Sequence, residues 1–280
     1  MRTITAATIK STVAQLCKEA NLVLPHDVLL ALRRAAASET DRRAKGILRA
    51  TIDNALIAHK QHLAICQDTG MACVFVKLGQ DVRVLGNLSR AINQGVAQGY
   101  KEACLRNSII KDPLMRATPA FQPAIIHTEL VQGNKMSITV LPKGFGCENK
   151  TRLVMLNPTA SWDKVKDFII DTVKAAGPDA CPPYIIGVGI GGTAEHACLL
   201  AKKALLKNIN SRYSQLNAKL VRLQNNLLKQ INGLNIGPMG LGGKTTALAV
   251  NIETYPTHIA GLPVCVNISC HALRRATKVL

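Results

Sequence analysis

The stretch YIIGVGI, residues 184–190, is followed at once by TAEHACLLAKKALL, residues 193–206. The first stretch is a short run of apolar residues and glycines, which is typical of a strand buried on both faces. The second predicts a helix behind that strand. A buried strand followed by a helix indicates a sheet covered by helices, and this arrangement decides the fold class.

The segments around this unit extend the same pattern. SWDKVKDFIIDTVKAAG, residues 161–177, predicts a helix with Ser161 as its N-cap and Gly177 just after its end. An amphipathic helix is expected over residues 211–231, and strands are expected over the segments that follow it, residues 246–255 and 262–269.

The first half of the chain changes character near residue 60. Residues before that point predict helices, with Thr40 expected to cap the helix over residues 41–60. A strand is expected over residues 72–79. The runs AIIHTELV and KMSITVLP flank QGN, residues 132–134, and predict a hairpin.

We therefore expect a fold of the α/β class (mixed α+β), with a helical N-terminal segment followed by a mixed sheet with flanking helices. We predict a single domain over residues 1–280, with residues 1–60 as a mainly helical front.

The composition narrows the class of partner. The formal net charge is +18, but aromatic residues make up only 3% of the chain and the basic residues are spread along it. Nucleic-acid binding would favour clustered basic residues with stacking aromatics, so we expect no nucleic-acid partner. A small anionic substrate or an acidic protein partner accounts for the charge as well.

The location is predicted from what the sequence lacks and from its cysteines. No run approaches the roughly 18 apolar residues of a membrane span, and the N-terminal residues lack the apolar core of a secretory signal. Nine cysteines without close regular spacing then favour the reducing cytoplasm over a disulfide framework. We expect no membrane association.

Two glycine-rich motifs imitate nucleotide sites. GVGIGG, residues 187–192, matches G-x-G-x-x-G, but the region about 20 positions on is basic where a dinucleotide site needs an acidic residue. Its glycines leave two alternatives open, a backbone approach to an anion or close packing of strand on helix. PMGLGGKTT, residues 238–246, fails as a phosphate-binding loop because Pro238 stands where the pattern requires glycine.

Three cysteines lie outside apolar runs, namely Cys66, Cys181 and Cys270, and Cys147 is an ambiguous fourth. The other five fall in predicted helices or strands and are typical of a core. Three loop cysteines far apart in sequence do not suit a zinc finger, whose ligands cluster. They suit a metal or cluster held between several elements, and three ligands would leave one iron of an iron–sulfur cluster open as a Lewis acid.

Five ordered segments carry a family resemblance: ICQDTG, PKGFGCENK, ACPPYIIGVGIGG, IGPMGLGGKTTALAV and YPTHIAGLPVCVNISCHA. Together they closely resemble the α subunit, or N-terminal half, of the class I iron–sulfur fumarate hydratases, from about residue 40 to the C-terminus. The α subunits of L-tartrate dehydratases share the overall pattern. The unbroken GFGCENK and GIGGTAEHA are more similar to the fumarate hydratase branch.

The resemblance implies a [4Fe-4S] cluster held by Cys66, Cys181 and Cys270, whose open iron acts as a Lewis acid on the hydroxyl and one carboxylate of malate. It also implies roles for residues around the substrate. Gln67 and Asp68 would line it, and Asp68 would be the charge partner of the active-site His258.

Further implied contacts involve the substrate's carboxylates. Arg106 would pair with one of them, and the backbone N–H groups of a loop with Gly144 and Gly146 would reach the other end. Phe145 and Cys147 depart from the commonest form of that loop, which carries glycine and serine at these positions. His271 is expected to orient a ligand or to pack.

The resulting hypothesis is a hydro-lyase of the tricarboxylic acid cycle that hydrates fumarate to L-malate reversibly. The chain ends soon after Cys270, so we expect a separate β subunit to complete the active site, in an α2β2 assembly. The alternative within the class is an L-tartrate dehydratase α subunit. The alternative of another class is a basic anion- or nucleic-acid-binding protein without a cluster.

Overall fold

The computed structural model describes residues 2–116, 118–209 and 218–280. The first elements are β1 (Arg2–Thr5), α1 (Ala6–Leu22), α2 (His26–Ser38), α3 (Arg42–Gln61), β2 (Met71–Gly79), β3 (Val82–Leu85), α4 (Leu88–Glu102), β4 (Ile109–Ile110), β5 (Pro119–Ala120), β6 (Ile125–Val131) and β7 (Met136–Lys143). The later ones are α5 (Phe145–Glu148), β8 (Arg152–Leu156), α6 (Trp162–Ala176), β9 (Tyr184–Gly192), α7 (Ala194–Ala204), α8 (Ala218–Asn232), a 3₁₀ turn (Pro238–Gly240), β10 (Ala247–Thr257), β11 (Leu262–Ser269) and β12 (Ala276–Val279).

The chain folds into two compact units. The first comprises Met1–Pro25, Ala55–Phe145 and Arg274–Leu280, and the second comprises His26–Asn54 and Gly146–Leu273. The single domain predicted over residues 1–280 stays a prediction.

The first unit is built on a four-stranded sheet in the order β12-β7-β2-β6. Helices α1 and α4 pack on this sheet through a shared core of apolar side chains that includes Ile9, Val13, Ile92 and Val140. The two helices approach closely at the glycines of α4. A Cβ at Gly99 would lie 2.5 Å from the carbonyl oxygen of Ala14, so only glycine allows this contact.

The predicted hairpin between β6 and β7 is wrong, because β2 lies between them. Val74 of β2 faces Val140 of β7 in an antiparallel pair and Ile126 of β6 in a parallel pair. Most of β2 is buried, whereas β6 is largely exposed. The apolar strand β2 therefore lies inside the sheet, between β6 and β7. The turn between β6 and β7 passes the end of β2, where the carbonyl of Gly133 accepts a hydrogen bond from the N–H of Asp81 (3.0 Å).

The second unit is built on a sheet in the order β10-β9-β11-β8. Strand β9 pairs in parallel with β10 and antiparallel with β11, so the sheet is mixed. Alternate residues of β9 serve its two faces. Ile186 and Val188 join a core with α6 and α8, while Gly187 and Gly189 lie against the backbone of α7.

The local predictions had mixed outcomes. Helix α6 has Ser161 at its N-cap and Gly177, with φ 54°, after its end, as expected, although the Ser161 side chain makes no capping bond. The cap of α3 is Asp41 rather than Thr40, since the Asp41 carboxylate accepts from the backbone of Ala44 (2.8 Å). Residues 211–217 of the predicted amphipathic helix lie outside the described residues.

Helices on both faces of a mixed sheet confirm the predicted α/β (mixed α+β) class. Among the described residues, no helix has both the length and the apolar character needed to cross a membrane.

Candidate active site

The segment from Cys66 to Gly70 connects α3 to β2 and is fixed in the first unit by its backbone. The Tyr100 hydroxyl donates to the carbonyl of Thr69 (3.0 Å). The guanidinium of Arg274 donates to the carbonyl of Asp68 (2.7 Å). Just before the segment, the N–H of Ile65 donates to the carbonyl of Asn21 (3.0 Å). Two of these bonds hold carbonyls of the segment itself, which has no regular secondary structure, and the third holds the N–H of the residue before it.

The Asp68 carboxylate joins this segment to the glycine-rich loop. Its Oδ1 accepts from the N–H of Gly70 (3.0 Å), and its Oδ2 accepts from the N–H of Phe145 (2.8 Å). A Cβ at Gly144 would lie 3.0 Å from Oδ2, so a side chain there would crowd the carboxylate. The Phe145 side chain, which stands where the commonest form of the loop has glycine, is exposed. The bond to Asp68 is made by the backbone N–H of Phe145 and does not depend on that side chain.

The other predicted substrate contacts of this unit lie at the surface. Gln67 and Arg106 are exposed. The backbone N–H of Arg106 donates to the hydroxyl of Thr69 (3.2 Å), which places the arginine beside the Cys66–Gly70 segment. An exposed guanidinium next to this segment is suited to an anionic ligand.

Cys181 and Cys270 belong to the second unit, where His271 joins the turns that carry them. The backbone N–H of His271 donates to the carbonyl of Cys181 (3.4 Å). Its ring Nδ1 lies 3.2 Å from the same oxygen, so in this contact Nδ1 carries the proton. The expectation that His271 orients a ligand therefore takes a specific form, in which the histidine next to Cys270 holds the turn of Cys181.

The Cys181 turn is also held from other sides. The N–H of Met239 donates to the carbonyl of Pro182 (2.8 Å), which brings the loop after α8 against the turn. The thiol of Cys147 donates to the carbonyl of Ala180 (3.4 Å). Cys147 is itself buried in the core of the second unit, so the ambiguous fourth cysteine supports the turn through packing and a hydrogen bond.

His258 lies in the exposed turn between β10 and β11. The N–H of Ala260 donates to its Nδ1 (3.1 Å), so the neutral ring carries its proton on Nε2. The hydroxyl of Thr257 donates to the carbonyl of Gly192 (3.0 Å) and fixes the start of this turn. The charge pair of Asp68 with His258 stays a prediction, as do the ligand and substrate roles of the residues named above.

Burial divides the nine cysteines, none of which forms a disulfide, into two groups. Cys17, Cys73, Cys147 and Cys265 are buried, whereas Cys66, Cys198 and Cys270 are half-buried and Cys104 and Cys181 are exposed. Burial raises the pKa of Cys17 from 9.0 to about 12, which disfavours the thiolate that metal ligation requires. Cys66, Cys181 and Cys270 thus fit a cluster's need for reachable sulfur donors better than the core cysteines do.

The described residues contain no ready-made metal cage. Within residues 2–116, 118–209 and 218–280, no group of three or more His, Cys, Asp or Glu side chains is arranged to hold a metal ion. The structure brings the Cys181 and Cys270 turns together through His271, and it places Cys66 beside Asp68 in the other unit.

Both glycine-rich motifs have structural roles. A Cβ at Gly187 or Gly189 would lie 2.1 Å from the carbonyl oxygens of Ala201 and Ala197 in α7, so these glycines allow close packing of strand on helix. In the second motif, the N–H of Lys244 donates to the buried carboxylate of Glu39 (2.7 Å). The loop that imitates a phosphate-binding loop therefore binds a carboxylate of its own chain.

Sequence reasoning missed the residues that support the Cys66–Gly70 segment: Asn21, Tyr100 and Arg274. Tyr100 and Arg274 are buried, and burial raises the pKa of the Tyr100 hydroxyl, which keeps it neutral as a donor. The sequence signal that could have drawn attention to Arg274 is the basic pair Arg274-Arg275 shortly after Cys270.

Comparison with known proteins places the chain in a family. The family model described as fumarate hydratase (Fumerase) matches residues 10–279, so the similarity begins about thirty residues before the point predicted from the motifs. The chain is 38% identical over 278 residues to a protein of Methanocaldococcus jannaschii named putative L(+)-tartrate dehydratase subunit alpha, covering 96% of each chain.

Two bacterial relatives carry a similar name. The L(+)-tartrate dehydratase subunit alpha of Escherichia coli UTI89 is 32% identical, over 91% of this chain and 84% of the relative. The protein of the same name from Escherichia coli K12 is 31% identical, over 92% of this chain and 86% of the relative. The family match and these relatives show that the chain belongs to the fumarate hydratase (Fumerase) family.

Proposed function

We propose that this chain is the α subunit of an iron–sulfur hydro-lyase that interconverts fumarate and L-malate in the cytoplasm, with a separate β subunit. The observation that carries the proposal is the family match over residues 10–279. It is supported by the positions of Cys66, Cys181 and Cys270, which form no disulfide and lie in irregular segments held by specific hydrogen bonds.

The three cysteines are the ligands that we assign to a [4Fe-4S] cluster. A bound cluster with three protein ligands supplies an open iron that acts as a Lewis acid on a substrate oxygen. Each assigned ligand has a partly or fully exposed side chain, whereas the buried Cys17 has a pKa near 12 and is a poor thiolate donor.

The chain's own residues would bind and orient the dicarboxylate. The guanidinium of Arg106, exposed beside the Cys66–Gly70 segment, is suited to a bidentate bond with one carboxylate. The amide of Gln67 is exposed on the same segment. Asp68 has a second task, since its carboxylate accepts from the N–H of Phe145 and so holds Gly144 and the first turn of α5, in which Gly146 lies.

His258 would bind and orient the leaving hydroxyl. The bond from Ala260 to its Nδ1 keeps the proton of the neutral ring on Nε2, from which the ring can donate a hydrogen bond to that hydroxyl. The base that removes the C3 proton is assigned to the β subunit, because the relatives are named as alpha subunits. We propose an α2β2 assembly, the stoichiometry that the family resemblance implies.

A second candidate substrate is L-tartrate, and the names of the relatives favour it. Tartrate and malate are both hydroxylated four-carbon dicarboxylates, so the same ligands and the same arginine would serve either reaction. Malate stays the first choice because the unbroken GFGCENK and GIGGTAEHA resemble the fumarate hydratase branch. The alternative of a basic binding protein without a cluster has no support from the family match.

The test measures iron, sulfide and turnover on anaerobically purified chain co-expressed with its β subunit. We expect about four irons per chain, and we expect Cys66→Ala to lose cluster iron and turnover. Cys104→Ala, which removes an exposed cysteine of the same unit, is the matched control and should retain both.

The outcomes separate the alternatives. Faster turnover of L-malate than of L-tartrate supports the proposed substrate, and the reverse result assigns the chain to the tartrate reaction. Iron-free wild-type protein, or a Cys66→Ala variant that keeps its iron, would overturn the cluster assignment.

A further inference from the structure

Arg274 is a buried arginine in the first unit, with 3% of its surface exposed. Its Nη2 donates to the backbone carbonyl of Asp68 (2.7 Å), and its Nη1 donates to the side-chain oxygen of Asn21 (3.1 Å). Its Nε has no hydrogen-bond partner among the described residues. A buried guanidinium is costly unless it is bonded, so such a residue needs a reason to be retained.

Asn21 ties this arginine to the rest of the unit. It is fully buried near the end of α1, and its side-chain nitrogen donates to the carbonyl of Cys17 (3.0 Å). Its backbone carbonyl accepts from the N–H of Ile65, one residue before Cys66. Asn21 therefore fixes the start of the Cys66–Gly70 segment directly and fixes its middle through Arg274.

Arg274 also lies close to the glycine-rich loop. A Cβ at Gly144 would be 3.7 Å from its Nη2 and 3.0 Å from the Asp68 carboxylate. Because Asp68 Oδ2 accepts from Phe145, a shift of the Asp68 backbone would be passed to this loop. The Arg274 guanidinium thus holds the backbone of Asp68, which lies two residues after the proposed cluster ligand Cys66 and contacts the proposed substrate loop through its carboxylate.

We propose that Arg274, held by Asn21, is a positioning residue that fixes the backbone of Cys66–Asp68 and, through Asp68, the loop of Gly144. The inference rests on the proposed function for its catalytic consequence but has its own structural readout. A planar guanidinium can donate to two acceptors at once, whereas a lysine ammonium at the same place lacks the fork. Arg274→Lys therefore keeps the positive charge and removes the bidentate geometry.

The first readout is the alkylation of Cys66 by iodoacetamide in the metal-free full chain, followed by mass spectrometry. Cys104, an exposed cysteine of the same unit, is the internal reference. We expect Arg274→Lys and Asn21→Ala each to raise the ratio of Cys66 to Cys104 alkylation several-fold. The matched control is Arg83→Lys, an exposed arginine of the same unit, which should leave the ratio unchanged.

The second readout is turnover of the complex with the β subunit. Loss of a residue that orients a metal ligand typically costs about 10- to 100-fold in metal affinity or activity. We expect Arg274→Lys to lower kcat in that range with a smaller change in KM. The double variant with Asn21→Ala should fall little further, because the two residues act as one unit.

The results distinguish the hypotheses. A lowered melting temperature with an unchanged alkylation ratio and unchanged kcat would mean that Arg274 only stabilises the fold, and the proposal would be wrong. If wild-type protein lacks iron and turnover, the proposed function fails, while the alkylation ratio still decides whether Arg274 positions the segment.

Discussion

At the scale of single residues, Asp68 combines two tasks that are usually separate. It is exposed enough to meet a ligand, and its two carboxylate oxygens each accept a backbone N–H, from Gly70 and from Phe145. Such bonds use the negative charge of the carboxylate, so they are stronger than bonds to a neutral acceptor. A change at Asp68 should therefore alter stability as well as turnover.

We expect Asp68→Asn to destabilise the protein. The amide keeps one oxygen acceptor but turns an NH₂ group toward a backbone N–H, which leaves donors facing each other and costs about 1–3 kcal/mol. The measurement is the free energy of unfolding in urea. Asp112→Asn is the matched control, because the Asp112 carboxylate also accepts two backbone N–H groups, from Leu114 and Met115, but both bond to its Oδ1, an acceptor that the amide retains. Equal losses for the two variants would contradict the role given to Asp68.

At the scale of elements, α1 and α4 meet over glycines. A Cβ at Gly99 would lie 2.5 Å from the Ala14 carbonyl and one at Gly95 would lie 2.6 Å from the Lys10 carbonyl. Glycine within a helix costs about 0.5–1 kcal/mol relative to alanine, so these residues are retained for the contact rather than for the helix.

Two alanine substitutions should therefore have opposite effects. Gly99→Ala should destabilise the protein by roughly 1–3 kcal/mol, because the extra methyl group forces the helices apart. Gly46→Ala, in α3 with open space around its Cβ position, should stabilise it by about 0.5–1 kcal/mol. Thermal and urea unfolding of the two variants are the measurements, and destabilisation by both would refute the packing argument.

The elements show what a sequence can predict and what it cannot. The helix α7 and the strands β9, β10 and β11 were predicted because their apolar patterns are local. The hairpin of β6 and β7 was wrong because partner choice depends on β2, which lies nearly fifty residues earlier and needs neighbours on both sides. The two strands were predicted to pair because they are adjacent in sequence. Their actual pairing is decided by the burial of β2, which is distant in sequence.

The same distinction holds for the site. Cys66, Cys181 and Cys270 stood out because they interrupt local patterns. Arg274 did not, since its bond to Asp68 spans 206 residues and no local pattern encodes it. The three cysteines were therefore recognisable from their own neighbours in sequence, whereas the contacts of Arg274 are visible only in the folded structure.

At the scale of the whole molecule, several buried groups are kept neutral. Burial raises the pKa of Cys17 to about 12, and it raises the pKa values of Tyr100, Tyr184 and Cys265 in the same direction. These groups lie in both units. In each case the folded state binds the proton more tightly than the unfolded chain does.

Stability should therefore fall at alkaline pH. A group whose pKa is raised on folding contributes its full stability below the pKa of the unfolded state and loses it as the pH rises. For Cys17 the loss begins near pH 9 and continues to about pH 12. Urea unfolding at pH 7, 9 and 10.5 is the measurement. The Cys17→Ala variant should lose less stability across this range than wild type, and an equal loss in both would exclude Cys17 as a source.

The glycines of β9 have a consequence for the detection of remote relatives. Residues 187–192 match the sequence pattern of a dinucleotide-binding loop. The space beside Gly187 and Gly189 is nevertheless filled by backbone carbonyl oxygens of α7. Glycine is required both where a helix packs directly on the backbone of a strand and where a loop approaches a pyrophosphate. The two structures can therefore have the same sequence pattern. The two cases differ in what occupies the space next to the glycine Cα atoms. Where a helix carbonyl occupies it, the glycines serve the packing of a helix on a sheet, and the motif is not evidence for a cofactor.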